Sequence, residues 1–140
     1  MFSLDPRLQG DTLPLGAFPL SRLLLMNDRT YPWLILVPQR PDIREIYQLA
    51  PADRRQLLDE SCQLAEAMAA LFRPDKLNIA ALGNVVPQLH VHHVARFCTD
   101  PAWPAPVWGK GPAIPYAPDQ ADELRGRLLP RLSQFTPADR

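Results

Sequence analysis

All three histidines of this chain fall within four positions, in the run Gln88-Leu89-His90-Val91-His92-His93-Val94-Ala95-Arg96. Near neutral pH an imidazole can act as nucleophile, general acid or base, or metal ligand. Most of the run alternates polar and apolar residues, the pattern of a β-strand with one face turned toward a site. On such a strand Gln88, His90, His92 and Arg96 project from one side, and Leu89, Val91, His93 and Ala95 from the other. An amide, two imidazoles and a guanidinium in one row serve no packing purpose, so chemistry is expected there. His93, on the opposite side, is expected to hydrogen-bond against a helix layer and stays outside the catalytic set. A metal held by His90, His92 and His93 is the rival use of the same residues. Structural zinc takes four protein ligands and catalytic zinc commonly three. The run holds no acid or thiol, so no metal is assigned.

The rest of the composition narrows the class of protein. A length of 140 residues suits one domain with one core. Fifteen Lys and Arg balance fifteen Asp and Glu, so no net field favours nucleic acid or an anionic membrane. A local anion site of nucleotide size remains compatible with that balance. The first residues, Met1 to Arg7, lack the basic-then-apolar order of a secretion signal. No apolar run approaches the roughly 20 residues that span a bilayer. Cys62 and Cys98 form no disulfide framework or CxxC spacing, and Cys62 is expected to be a buried thiol on a helix face. A cytoplasmic, reduced protein is expected.

The elements that must position the row can be read in order. Thr12 to Leu20, broken by Pro14, Gly16 and Pro19, predicts a short edge strand or turn. Ser21 to Met26 and Trp33 to Val37 predict an antiparallel hairpin joined at Asn27-Asp28-Arg29. Pro51 opens a helix of about 20 residues that ends before Pro74. Its apolar face is read as Leu57, Leu58, Cys62, Ala65, Met68, Ala69 and Phe72. Lys76 to Leu82 is the next strand, Gly83 to Pro87 a turn, and the histidine strand follows. Residues 99–118 carry six prolines with Trp103, Trp108 and Tyr116, which predicts a stiff strap packed on the body or folded over the site. A last helix is expected over 119–132, with its acids first and its arginines later, as the helix dipole favours. The fold class is therefore α+β: one domain over 1–140, an antiparallel sheet with a long helix on one face, core about 12–98.

At this point the residues carry a resemblance. Asn84-Val-Val-Pro-Gln-Leu-His-Val-His-His-Val-Ala-Arg resembles the signature of the histidine-triad (HIT) superfamily, His-x-His-x-His with apolar residues between. The stretch Leu24 to Pro41 is similar to the family's hairpin, and the order of hairpin, long helix, strand and histidine strand also matches. The resemblance covers roughly Ser21 to Arg96. It implies a nucleotide hydrolase or nucleotidyl transferase, and a homodimer, as relatives form. The central histidine, here His90, would attack an α-phosphate and form a covalent nucleotidyl-histidine.

Carried over by position, the third histidine falls on His92, which if protonated would donate to a phosphate or leaving-group oxygen. Gln88 stands where the first histidine would be; it can donate a hydrogen bond to phosphate or orient a neighbour but moves no proton. Asn84, from the turn, and Asn27, at the hairpin tip, are the remaining substrate-binding candidates. Trp33 lies near where many relatives carry a further histidine. Arg96 reads most simply as a strand-end residue paired with an acid, and Lys110 as a mobile or solvated cation. The covalent step calls for no metal or other cofactor, and a nucleotide-like small molecule is the implied partner. The rival reading is a nucleotide-binding protein with little or no turnover.

Overall fold

The computed structural model describes residues 1–139. Six antiparallel strands form one sheet in the order β4-β5-β3-β2-β1-β6. They are β1 (Thr12–Ala17), β2 (Ser21–Met26), β3 (Trp33–Pro38), β4 (Lys76–Ala80), β5 (Val91–Arg96) and β6 (Thr136–Pro137). Three helices accompany them: α1 (Pro6–Asp11), α2 (Pro51–Phe72) and α3 (Pro118–Leu128). The fold is thus the expected α+β arrangement, with the β2–β3 hairpin in the expected place.

Both faces of the sheet are covered, which explains why β3 and β5 are buried along their whole length. On one face Leu23, Leu25, Leu34, Leu36, Val91 and Ala95 pack against Leu57, Leu64 and Met68 of α2. On the other, Leu24, Trp33, Ile35, Val37 and Val94 lie under Leu8 of α1 and Ala102 and Val107 of the strap. A strand buried on both sides loses its alternation of polar and apolar residues, as the run Trp33 to Pro38 does.

Several boundaries and faces differ from expectation, each for a physical reason. β1 is an inner strand, because the short β6 pairs with Gly16 and Ala17 and takes the edge. Gly16 sits at a bulge with φ +146°, and a Cβ there would collide with the Thr136 carbonyl and the Phe135 ring. The α2 helix begins and ends as read, but its buried face is Leu57, Glu60, Ser61, Leu64, Ala67 and Met68. Leu58, Cys62 and Ala69 face outward, so Cys62 is an exposed thiol rather than a buried one. Polar Glu60 turns inward because its carboxylate accepts the backbone N–H groups of Leu20 and Ser21 at 2.9 and 3.0 Å, and Gln56 Nε2 at 2.8 Å. Ser61 turns inward because its hydroxyl lies 2.7 Å from His93 Nε2. Two buried polar groups thereby fasten the helix to the sheet, each satisfied by its partner. The last helix stops at Leu128 and continues as a 3₁₀ turn over Leu129–Arg131, since Pro130 has no N–H for another helical bond.

Candidate active site

The residues that surround the histidines come from four parts of the chain. β4 ends at Ala80 and β5 begins only at Val91, so His90 lies at the mouth of its strand rather than within it. Its ring is fixed locally: Nδ1 is 2.7 Å from the carbonyl oxygen of Gln88. A carbonyl only accepts, so Nδ1 carries the hydrogen and the lone pair of the neutral ring stays on Nε2. The carbonyl that sets the tautomer thus lies two residues earlier, in the segment that leads into β5. The ring is only 7% exposed, yet it lines a cavity of about 610 Å³. That volume is in the range of small-molecule sites.

His92 lines the same cavity, with its ring edge-on to that of His90 at 4.9 Å between centroids. Strand register explains its partner. Ile35 faces His92 and Trp33 faces Val94 across β3 and β5, which makes Trp33 the diagonal neighbour of His92 on one face. The Trp33 indole N–H donates to His92 Nδ1 at 3.0 Å. An indole nitrogen can only donate, so Nδ1 accepts and the neutral His92 carries its hydrogen on Nε2. Burial, with further contributions from His90 and His93 nearby, lowers the His92 pKa from 6.5 to about 3. The condition set above, a protonated His92, is therefore not met near neutral pH; the neutral ring remains a hydrogen-bond donor through Nε2. Trp108, from the strap, packs edge-on to both His92 and Trp33 at 5.1 and 5.9 Å. Its indole N–H is buried and has no partner among the described residues. The strap therefore packs on the sheet and also walls the site, uses that the sequence offered as alternatives.

The remaining sequence candidates divide. Asn84 lines the His90 cavity with Gly83, Val85 and Val86 of the turn. Gln88 does not. Its Oε1 accepts from the Asp5 backbone N–H at 2.9 Å and its Nε2 donates to the Ser3 carbonyl at 2.8 Å. The residue that takes the first motif position is thus a clasp for the N-terminal segment, which corrects its place in a substrate-binding row. Asn27 lines a smaller neighbouring cavity of about 360 Å³, with Asp28 and Lys110, and its Oδ1 accepts the Tyr116 N–H at 2.9 Å. The two cavities share Asp11, Met26 and Trp108 as a common wall. Arg96 keeps to the His92 side of its strand, but it is 1% exposed and bound to Asp100, Asn78 and the Ala105 carbonyl. It is a structural residue, as its simplest reading held. His93 points to the α2 face as expected, so the three histidines do not converge, and no cluster of three or more metal-ligating groups occurs among the described residues.

Sequence reasoning missed α1, which carries Arg7, Leu8 and Asp11 along the other side of the cavity. The signal was present: Asp5 caps the helix by accepting the Arg7 N–H at 2.8 Å, and Pro6 occupies the first turn.

Two buried neutral imidazoles make stability depend on pH. The folded pKa values, about 3 for His92 and about 4 for His93, lie below the ordinary 6.5. Between those values the unfolded chain binds protons that the native chain refuses. The stabilisation is therefore full above pH 6.5 and is lost as pH falls toward 4 and then 3, by roughly 3 kcal/mol for His93 and roughly 5 kcal/mol for His92. Urea unfolding stepped from pH 7 to 4 should show a steady loss of stability. A flat profile over that range would contradict buried neutral rings.

Comparison with known proteins agrees with this geometry. The HIT domain family model matches residues 7–99. A histidine triad protein from Marinobacter aquaeolei VT8 is 52% identical, with a TM-score of 0.94 over 97% of this chain and 99% of that one. A histidine triad (HIT) protein from Sinorhizobium meliloti 1021 is 45% identical, with a TM-score of 0.92 over 94% and 98%. A third, from Bradyrhizobium japonicum, is 44% identical, with a TM-score of 0.91 over 93% and 97%. No curated protein matches the sequence. With more than half its length matched by the family model, and with its histidine strand beside a cavity in the same fold, the chain belongs to the histidine triad family.

Proposed function

We propose that the chain is a nucleotide hydrolase or nucleotidyl transferase that works at an α-phosphate through a covalent intermediate on His90. One observation carries this reading: His90 sits on the wall of a nucleotide-sized cavity with Nδ1 tied to the Gln88 carbonyl, leaving Nε2 as the nucleophile. The Nε2 lone pair attacks phosphorus, a P–N bond forms, and the bond to the leaving group breaks with its electron pair. Water or another acceptor then attacks phosphorus, the P–N electrons return to Nε2, and the acceptor's proton passes to solvent. Splitting the transfer into two displacements eases each. The neutral His92 donates from Nε2 to a non-bridging or leaving oxygen, while Asn84 is a further donor at the cavity. Asn27 holds the nucleoside side of the ligand from the adjoining cavity.

The second reading, a nucleotide-binding protein with little turnover, is favoured by one fact: Gln88 is turned away and moves no proton. Incubation with an α-labelled nucleotide followed by rapid quenching separates the two. Label retained on protein, acid-labile and mapped to His90, is the expected result. Binding without label across several leaving groups would leave only the binder.

We also infer that residues 1–140 act as one domain in the cytoplasm, where the two free cysteines Cys62 and Cys98 suit a reducing milieu. No described helix is long and apolar enough to cross a membrane. No role with nucleic acid is assigned. The homodimer is supported by the free edge of β4 and by the exposed apolar side chains of Ile79, Leu82 and Val85 beside it. Sedimentation at micromolar concentration should give a dimer, and a monomer there would refute this element.

A further inference from the structure

Arg7 and Asp11 stand four residues apart on α1, so they share a helix face, and both line the cavity of His90. Such a pair commonly forms an ion bridge, yet neither side chain has one among the described residues. Their order is also the reverse of what a helix dipole rewards, with the cation first and the acid last. The pair therefore does nothing for the helix. Arg7 is the only lysine or arginine on the cavity wall, and the ring of His92 beside it is held neutral. A nucleotide placed there would bring several negative charges to a wall with one fixed positive charge.

The ends of α1 are pinned differently. Its start is held near the histidine strand by the Gln88 bonds to Ser3 and Asp5. Its end is held at the hairpin tip, where the Asp11 carbonyl accepts the Asn27 N–H at 3.1 Å. Arg7 thus lies toward the strand that carries His90, and Asp11 toward the hairpin that carries Asn27. The geometry points to Arg7 as a specificity-determining residue that reads the group beyond the α-phosphate, selecting nucleotides whose leaving group is itself a phosphate or polyphosphate. This rests on the reading of His90 as the nucleophile's position. A guanidinium gives phosphate paired, charge-assisted hydrogen bonds, which an ammonium reproduces only as a point charge.

The test is calorimetric titration with adenosine mono-, di- and triphosphate, repeated with the guanosine series, for wild type, R7A and R7K. Wild type should bind triphosphate about 10-fold or more tighter than monophosphate, and the ratio should shrink as salt rises. R7A should bring the ratio close to one, and R7K should keep an intermediate value. The Arg7 side chain is exposed, so unchanged melting temperatures are expected for both variants and serve as the folding control. A triphosphate preference that survives in R7A, or a wild type with none, overturns the assignment. The label experiment fails or succeeds separately: preference without label retires the nucleophile and leaves Arg7 as a reader of the phosphate chain in binding alone, and label without preference retires Arg7 and keeps the nucleophile. A wild type that binds no nucleotide ends both.

Discussion

Replacing His90 with glycine or asparagine is expected to abolish nucleotide labelling and to lower turnover by on the order of 10³-fold or more, as loss of a nucleophile does elsewhere. The reason is chemical rather than structural. No other group on the cavity wall pairs a nucleophilic lone pair with a partner that fixes it, since His92 spends Nδ1 on Trp33 and carries hydrogen on Nε2. Stability should change little, because the ring lines the cavity and its hydrogen bond is to the carbonyl two residues earlier rather than to another element. Rapid-quench labelling and thermal melts on the same preparation check both halves. A large fall in melting temperature with labelling intact would make His90 a packing residue and defeat the catalytic reading.

Replacing Arg96 with methionine should have the largest effect on stability, a loss of about 3–5 kcal/mol. Methionine fills similar apolar space but strands Asp100, whose carboxylate is 5% exposed and has its guanidinium partner at 2.8 Å. The Asp100 pKa is pushed down to about 2, chiefly by its hydrogen bond to Arg96. Its stabilising effect is therefore present above the ordinary carboxylate range and disappears as pH falls toward 2. The deficit of the variant against wild type should accordingly narrow below pH 4. Asp100 also accepts backbone N–H groups from Phe97, Ala102 and Trp103, so it shapes the start of the strap that carries Trp108. Urea titrations at pH 7 and at acid pH test this, and a loss under 1 kcal/mol at pH 7 would mean the pair is dispensable.

The legible parts of the molecule were those written in local pattern. The hairpin shows in two apolar runs around Asn27-Asp28, and the span of α2 in Pro51 and Pro74. His90 and His92 stood out because few polar residues sit on such a strand without a purpose. What stayed hidden depends on partners far along the chain. Leu58 and Cys62 look as apolar as Leu57, and only the amides of Leu20 and Ser21 and the ring of His93 decide that Glu60 and Ser61 turn inward instead. The role of Trp33 rests on strand register, and that of Gln88 on a segment more than 80 residues earlier. The α1 helix buries one side chain, Leu8, and so offers almost no periodic signal.

The bonds that Gln88 makes to Ser3 and Asp5 reach main-chain atoms alone. A latch that grips the peptide backbone is indifferent to the side chains hung on it. The residues at positions 7 and 11 can therefore be exchanged without loosening the wall they stand on. On the role proposed for Arg7, the first helix of this chain is a replaceable reading head, open to recoding for new ligands while the chemistry behind it is left alone.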